Sequence, residues 1–82
     1  MPTVLRIGAM RVVVYPNDHR PPHVHVIGNG HEAVYILNHP AGTADLRENY
    51  GFPSRNLARI QRVLEENLAA LLSAWEGIHG TR

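Results

Sequence analysis

The sequence predicts an α+β domain in which a small, mainly antiparallel sheet of four strands, formed by two hairpins, carries one long C-terminal helix on one face. Three observations lead to this prediction. Short runs of β-branched and apolar residues fill the first half of the chain, turn dipeptides separate them, and apolar residues in the second half recur at intervals of three and four positions. We expect residues 1–82 to form a single domain, because a second compact unit would need more chain.

The first hairpin is predicted from two apolar runs, about 3–7 and 10–15, which a Gly-Ala dipeptide separates. Glycine at the first central position favours a two-residue type II′ turn. This turn places Arg6 directly opposite Arg11 on one face of the sheet. Like charges in that arrangement destabilise a strand pair, so this face is either well solvated or in contact with an anion.

The second hairpin is predicted from runs at about 23–28 and 31–37, joined by an Asn-Gly dipeptide that is typical of a type I′ turn. Its register pairs Ile27 with Glu32 and sets both on the face that carries His23 and His25, because residues two positions apart on a strand point to the same side. The other face is more apolar and is the predicted core, with Val24, Val26, Ala33, Tyr35 and Leu37.

Two loops and one helix complete the predicted fold. Three prolines within 15–22 make that segment a stiff connection, since proline removes a backbone donor and fixes φ. Residues 38–52 show no clear period and are predicted to be a loop. Apolar residues from Leu57 to Ile78 recur at helical spacing, which predicts one amphipathic helix over about 54–77.

The predicted helix is longer than the sheet that it covers. At roughly 1.5 Å per residue it extends for about 34 Å, whereas strands of five or six residues reach only about 17–20 Å. Its C-terminal half is therefore expected to overhang the sheet or to fold back over residues 38–52. In the first case it forms an interface with a second copy or another protein through Leu68, Leu71, Leu72, Trp75 and Ile78.

Composition excludes several classes of protein. The chain has no Cys, so disulfide frameworks and thiolate metal sites are excluded. No apolar run reaches the roughly 18 residues of a membrane helix and the N-terminus lacks a signal-peptide pattern, so we expect a cytoplasmic protein. The net charge of +1 with neutral His is not the strongly basic balance of most nucleic-acid binders. Because a chain this short buries little surface, we also expect a homo-oligomer or a bound partner.

Four of the six His lie within thirteen residues, beside Asp18 and Arg20. His23 and His25 project to the same side of a strand, and the proline-rich bend can bring His19 and Asp18 back towards them. This cluster is the only concentration of reactive side chains in the sequence.

Three interpretations of the cluster stay open. A divalent metal such as zinc could be held by His19, His23 and His25. Without a metal or other cofactor, two imidazoles can serve as general acid and general base in the cleavage of RNA, whose 2′-hydroxyl is the nucleophile, while Arg20 stabilises the phosphate. Alternatively, these side chains only bond the loop to the edge of the sheet.

The helix carries a stripe of arginines at Arg55, Arg59 and Arg62. They form either a solvated face or an anion site near the helix N-terminus. The residues expected to contact nucleic-acid phosphate are Arg6, Arg11, Arg20, Arg55 and Arg59.

Five segments of the chain carry a resemblance to a known family: 1–8, 17–26, 32–33, 51–54 and 65–75. The second of them reads Asn-Asp-His-Arg-Pro-Pro-His-Val-His-Val. With these segments the chain resembles the bacterial family known as domain of unknown function 4160 over nearly its whole length. Residues 38–50 depart from the family pattern, which more often has a short acidic segment with proline there.

The resemblance implies a setting for the protein without a settled activity. Members of the family look like halves of small two-gene modules of the toxin–antitoxin type. The family motif falls on Asp18, His19, Arg20, His23 and His25. We therefore expect a toxin-like, metal-independent ribonuclease in which His23 and His25 act as acid and base, and His19 and Asp18 orient them. Its expected partner is a cognate small protein encoded by a neighbouring gene. The rival expectation is a non-catalytic binding module, either an antitoxin or a metal-binding regulator.

Overall fold

The computed structural model describes residues 3–16, 19–38 and 41–79, which form an antiparallel sheet with helices on one face. The strands are β1 (Thr3–Ile7), β2 (Met10–Val13), β3 (His23–Gly28), β4 (His31–Asn38) and β5 (Thr43–Tyr50), and the helices are α1 (Ser54–Glu66) and α2 (Leu68–His79). Each strand pairs with the next strand along the chain, so the order in the sheet is β1 to β5. The predicted α+β class with an antiparallel sheet is confirmed.

Both predicted hairpins form, and their turns set the register. Gly8 has a φ of +59°, and Arg6 lies opposite Arg11 as the type II′ turn requires. Asn29 and Gly30 have φ values of 52° and 76°, which is the left-handed pair of a type I′ turn. The pairing of β3 with β4 follows the predicted register throughout.

The predicted four-stranded sheet is wrong, because a fifth strand occupies most of the segment 38–52. β5 lies at the edge of the sheet, and Ala44 is the only buried one of its eight residues. An edge strand with so few core positions does not need alternating apolar and polar residues. Because that alternation is the pattern that predicts strands, the sequence does not reveal β5. A register irregularity between Val34 and Tyr35 on β4 interrupts the period further.

β2 is shorter than predicted and ends at Val13. The residues after it lead into the proline-rich loop, where backbone donors for a continued ladder are missing. The loop therefore begins earlier than the apolar run indicates.

The predicted single helix is wrong as well, because Asn67 divides it into α1 and α2. The Asn67 Nδ2 atom donates a hydrogen bond to the Val63 carbonyl at 2.8 Å, and the backbone N–H of Asn67 donates to the Leu64 carbonyl at 3.1 Å. In a regular α-helix the Val63 carbonyl accepts from the backbone N–H of Asn67. Here the Asn67 side chain bonds that carbonyl, the backbone N–H bonds the Leu64 carbonyl, and the turn tightens. The apolar spacing continues across this break, so periodicity does not reveal it.

The break changes where the C-terminal half of the helix lies. α2 contacts β1, and its side chains Leu68, Leu71 and Trp75 are almost completely buried in the core. Leu72 and Ile78 pack against the same core. The five residues predicted as an exposed interface therefore cover this chain's own sheet. Neither helix of the described part of the chain is long and apolar enough to cross a membrane.

The core lies between the helices and the face of the sheet that the sequence predicts. Tyr35 carries a hydroxyl group at the centre of this core and is fully buried on β4. Its hydroxyl donates to the Leu57 carbonyl of α1 at 2.9 Å, and burial raises the pKa of Tyr35 to about 12. This bond ties the middle of the sheet to the first helix.

Gly51 turns the chain from β5 towards α1. Its φ is +108°, and a Cβ added there would clash with the ring of His31. Gly30 also has a positive φ of +76°, but nothing lies within 4 Å of a Cβ added at that position. A side chain thus meets both backbone strain and a steric clash at Gly51, and only backbone strain at Gly30.

We expect Gly51→Ala to lower the free energy of unfolding by roughly 2–4 kcal/mol and Gly30→Ala by about 1 kcal/mol. Urea denaturation of the two variants measures the difference. Equal losses would show that the His31 ring does not constrain the chain at Gly51.

Candidate functional site

The sheet has a face opposite the helices, which we call the outer face. Its side chains lie in three rows across the strands: Arg6, Arg11, Ile27, Glu32 and Tyr50; Val13, His25, Val34 and Glu48; and His23, Ile36 and Asp45. Both helices pack on the other face, so the outer face is built by the strands and the proline-rich loop.

His23 begins β3 and is buried on the outer face, with only 7% of its surface exposed. Its Nδ1 atom donates a hydrogen bond to the Pro21 carbonyl at 2.8 Å. The next carbonyl, that of Pro22, accepts a hydrogen bond from the backbone N–H of Leu37 at 2.9 Å. These two bonds fasten the end of the proline-rich loop to β3 and β4.

His25 lies beside His23 on the same face, with 5.4 Å between the two ring centroids. Its Nδ1 atom contacts the Glu32 Oε2 atom at 3.1 Å, across the strand pair. The ring of Tyr15 lies edge-on to the His25 ring at 4.5 Å. The sequence places the two imidazoles and Glu32 on one face, and the structure brings all three together.

This arrangement orients the imidazoles and restricts access to them. Because the Nδ1 atoms face a carbonyl and a carboxylate, each neutral ring carries its lone pair on Nε2. A carboxylate at Nδ1 is also how a general base is oriented in hydrolases. The Nε2 atom of His25, however, is buried from solvent, so a bulky substrate reaches it only if the surrounding side chains move.

The other predicted catalytic residues do not join the two imidazoles in the described structure. His19 is exposed. Arg20 lies over the ring of Trp75, with its guanidinium carbon 5.0 Å from the ring centroid, which puts it on the helix side of the sheet. Asp18 lies outside the described residues. Stacking on an aromatic ring gives Arg20 a partner on the helix side of the sheet.

The predicted metal ligands are not assembled either. Among the residues that the structure describes, no three His, Asp or Glu side chains lie close enough together to hold a metal ion. The set of His19, His23 and His25 is therefore reduced to a pair.

The arginines predicted to contact phosphate are distributed over several parts of the molecule. Arg6 and Arg11 lie side by side in the first row of the outer face, and neither forms an ion pair with a carboxylate of the described residues. Arg55 and Arg59 are exposed on α1, where the Arg59 guanidinium approaches the turn at Gly8.

β5 adds acidic and aromatic residues that sequence analysis does not place near the site. The Tyr50 hydroxyl donates a hydrogen bond to the Glu48 Oε1 atom at 3.0 Å. This bond, together with the charge of Glu48, raises the pKa of Tyr50. Tyr50 is 60% exposed, and Asp45 ends the third row. The pairing of β5 with β4 is what assigns these side chains to the outer face, and the sequence carries no comparable signal.

We expect His23→Ala to lower the free energy of unfolding by roughly 2–3 kcal/mol, because it leaves a cavity and removes the donor to the Pro21 carbonyl. His19→Ala is the matched control, since His19 is exposed, and should change stability by less than about 0.5 kcal/mol. Chemical denaturation compares the two variants. A His23→Ala variant as stable as the wild type would mean that the loop does not depend on this imidazole.

The sequence model of one protein family matches residues 10–76, a range that includes β2 to β5, α1 and most of α2. No curated protein and no solved structure matches the chain. The matched range contains His23, His25 and Glu32. The chain therefore belongs to the family described as Domain of unknown function (DUF4160).

Proposed function

We propose that this protein is a non-catalytic binding module, one component of a two-protein assembly of the toxin–antitoxin type, and that it holds its protein partner on the outer face. One observation carries the proposal. The outer face combines an apolar centre with charges of opposite sign at its two edges, and a surface of this kind is typical of protein–protein contacts.

The centre of the outer face is apolar although neither helix covers it. Ile27 and Ile36 lie there on β3 and β4 and are partly exposed, whereas Val34, in the row between them, is only 5% exposed and offers no surface to a partner. An antiparallel sheet with one solvated face usually carries polar residues on that face. An apolar patch rimmed by charges instead favours contact with another protein.

The two edges of the outer face carry opposite charges. Arg6 and Arg11 lie on β1 and β2, whereas Glu32, Asp45 and Glu48 lie on β4 and β5. Charges separated in this way steer an incoming protein and favour one orientation of docking. Arg6 and Arg11 form no ion pair with a carboxylate of the described residues, so their guanidinium groups can donate hydrogen bonds to a carboxylate of a partner.

The histidines support a binding role better than a catalytic one. The Nδ1 atoms of His23 and His25 contact the Pro21 carbonyl and Glu32, so the rings hold the loop and the carboxylate in place. Both imidazoles are largely buried. Cleavage of a polymer would require its phosphate to reach both rings together.

The two-protein assembly follows from the family resemblance, since members of the family look like halves of two-gene modules. A chain with a chemically mixed sheet face that neither helix covers fits the role of one half. The expected partner is the small protein encoded by the neighbouring gene.

Calorimetric titration with that neighbouring gene product tests the proposal. We expect a complex, and we expect the double substitution Ile27→Ser/Tyr50→Ala to weaken it at least about tenfold, because apolar and aromatic contacts at the centre of an interface dominate affinity. Arg62→Ala, on the exposed side of α1, is the control and should leave the Kd unchanged. Absence of a complex, or a Kd that the outer-face substitutions do not change, would overturn the proposal. Circular dichroism checks that each variant is folded.

RNA cleavage is a second candidate, because the two imidazoles lie side by side and Glu32 can orient His25. It predicts that purified protein cleaves a labelled single-stranded RNA, and that His25→Ala lowers the rate by roughly 10²–10⁴-fold. We expect no cleavage above the buffer control. Cleavage that depends on His25 and not on His19 would replace the binding proposal with the catalytic one.

A further inference from the structure

We propose that a cavity on the helix side of the molecule binds a small zwitterion, that is, a molecule with a carboxylate and an ammonium group on an apolar body. Free apolar amino acids and dipeptides built from them belong to this class. The cavity has a volume of about 460 Å³, within the range of roughly 300–1,000 Å³ that is usual for small-molecule sites. It lies between α2 and the contact of the proline-rich loop with β4, so it is separate from the outer face.

One wall of the cavity is a stripe of side chains on α2. The residues of this stripe that line the cavity are Ala69, Leu72, Ser73 and Glu76. Their spacing of three and four positions places them on one side of the helix. Ala69 and Ser73 have small side chains and are exposed, so space remains between the helix and the loop where longer side chains would fill it.

The other wall of the cavity is formed by the proline-rich loop and the end of β4, through Arg20, Pro22 and Leu37. The backbone N–H of Leu37 donates a hydrogen bond to the Pro22 carbonyl at 2.9 Å, which holds the loop against the strand. α2 is held by its own side chains in the core. Because both walls are fixed by contacts within the chain, the cavity is formed before a ligand binds, as is usual for small-molecule sites.

Arg20 is placed to bind the carboxylate of the ligand. Its guanidinium carbon lies 5.0 Å from the centroid of the Trp75 ring, and Trp75 is only 1% exposed, so the ring is a fixed support for the charge. Arg20 forms no ion pair with a carboxylate of the described residues. The ring attracts the charge without accepting the fork of N–H donors, and this fork matches a carboxylate in two parallel hydrogen bonds.

Glu76 is placed to bind the ammonium group of the ligand. It lies in the last turn of α2 and lines the same cavity as Arg20, yet within the described part of the chain these two side chains form no ion pair with each other. The C-terminal end of a helix carries partial negative charge, so a cation beside Glu76 is stabilised by the carboxylate and by the helix dipole together. Ser73 lies one turn earlier and adds a hydroxyl group that can accept a hydrogen bond from the ammonium.

The apolar body of the ligand is matched by the remaining side chains of the cavity. Pro22 and Leu72 are partly exposed, and both line the cavity together with Leu37. An aliphatic side chain of the ligand removes this apolar surface from water. A ligand with one charge leaves either Arg20 or Glu76 without a partner, whereas an apolar zwitterion satisfies both charges and covers the apolar surface. Complementarity of this kind determines specificity.

Titration with L-leucine and with glycyl-leucine tests the site, because both are apolar zwitterions and they differ in the distance between their charges. Trp75 is the only tryptophan of the sequence and supports Arg20, so its fluorescence reports occupancy, and NMR shifts of backbone amides give a second signal. We expect saturable binding of at least one probe with a Kd of roughly 0.1–1 mM. No saturable change in either signal with either probe up to about 10 mM would overturn the proposal.

Paired changes in the ligand and in the protein test the two charge contacts. The amide of the tighter probe lacks the carboxylate, and its N-acetyl derivative lacks the ammonium group. Arg20→Gln should weaken the probe at least about fivefold and leave the affinity for the amide unchanged, whereas Glu76→Gln should weaken the probe similarly and leave the affinity for the N-acetyl derivative unchanged. Losses of equal size for the probe and both derivatives would overturn the assignment of these charges.

Filling the cavity gives an independent test of where the probe binds. Ala69→Leu extends a side chain of the α2 wall into the cavity and should weaken the tighter probe at least about tenfold. Ala70→Leu is the matched control, because Ala70 is exposed on α2 and is not one of the described residues that line the cavity. It should leave the Kd unchanged. Circular dichroism verifies that each variant is folded. Equal affinities of the two variants for the probe would place the ligand elsewhere and overturn the proposal.

Discussion

The helices of this chain cover only one face of its sheet, and the arrangement of the other face depends on this. On the covered face, continuous apolar packing excludes water from Val24, Val26 and Tyr35. On the outer face, the strands and the proline-rich loop must provide their own packing. They do so near His23 and Val13, which are both buried, and leave the row from Arg6 to Tyr50 more open to solvent. In this exposed row, Ile27 lies between Arg11 and Glu32.

Neither helix covers the histidine motif, and hydrogen bonds of His23 and His25 hold these side chains in place instead. A buried imidazole is acceptable only when its N–H has an acceptor, and the Pro21 carbonyl supplies one for His23. The same short loop carries Arg20 to the ring of Trp75 on the helix side. Residues 19–25 therefore connect both faces of the sheet, so the motif is constrained by two environments at once. Such a double constraint explains a conspicuous cluster of polar residues without requiring that they react.

The sequence predicts most of the sheet and little of its edge. Turn residues such as Gly8 and Asn29 specify the two hairpins, because a two-residue loop of known type fixes the register of both strands. The place of His25 beside Glu32 follows from that register. β5 is not predicted because Ala44 is the only residue of this strand that is buried in the core. Its carboxylates are therefore assigned to the outer face only once the pairing of β5 with β4 is known. The break at Asn67 depends on one side-chain hydrogen bond, to which apolar periodicity is insensitive.

The predicted arginine set is dispersed because a sequence pattern places residues within one element and not that element within the fold. Periodicity places Arg55 and Arg59 on one side of a helix, but it does not determine how that helix lies across the strands. Arg20 stands next to the histidines in sequence and yet stacks on Trp75, since residues 20–23 pass from the helix side of the sheet to its outer face. Adjacency along the chain is a poor guide to adjacency in space wherever prolines redirect the backbone.

The strand order has a consequence for how the chain reaches its native state. All sheet pairings join consecutive strands, so hairpins can form with little loss of loop entropy. The contact of α2 with β1 is different, because it joins opposite ends of the chain. Trp75 lies on α2 and is the only tryptophan of the protein. Its indole fluorescence therefore reports the long-range closure of the fold, separately from the growth of the sheet.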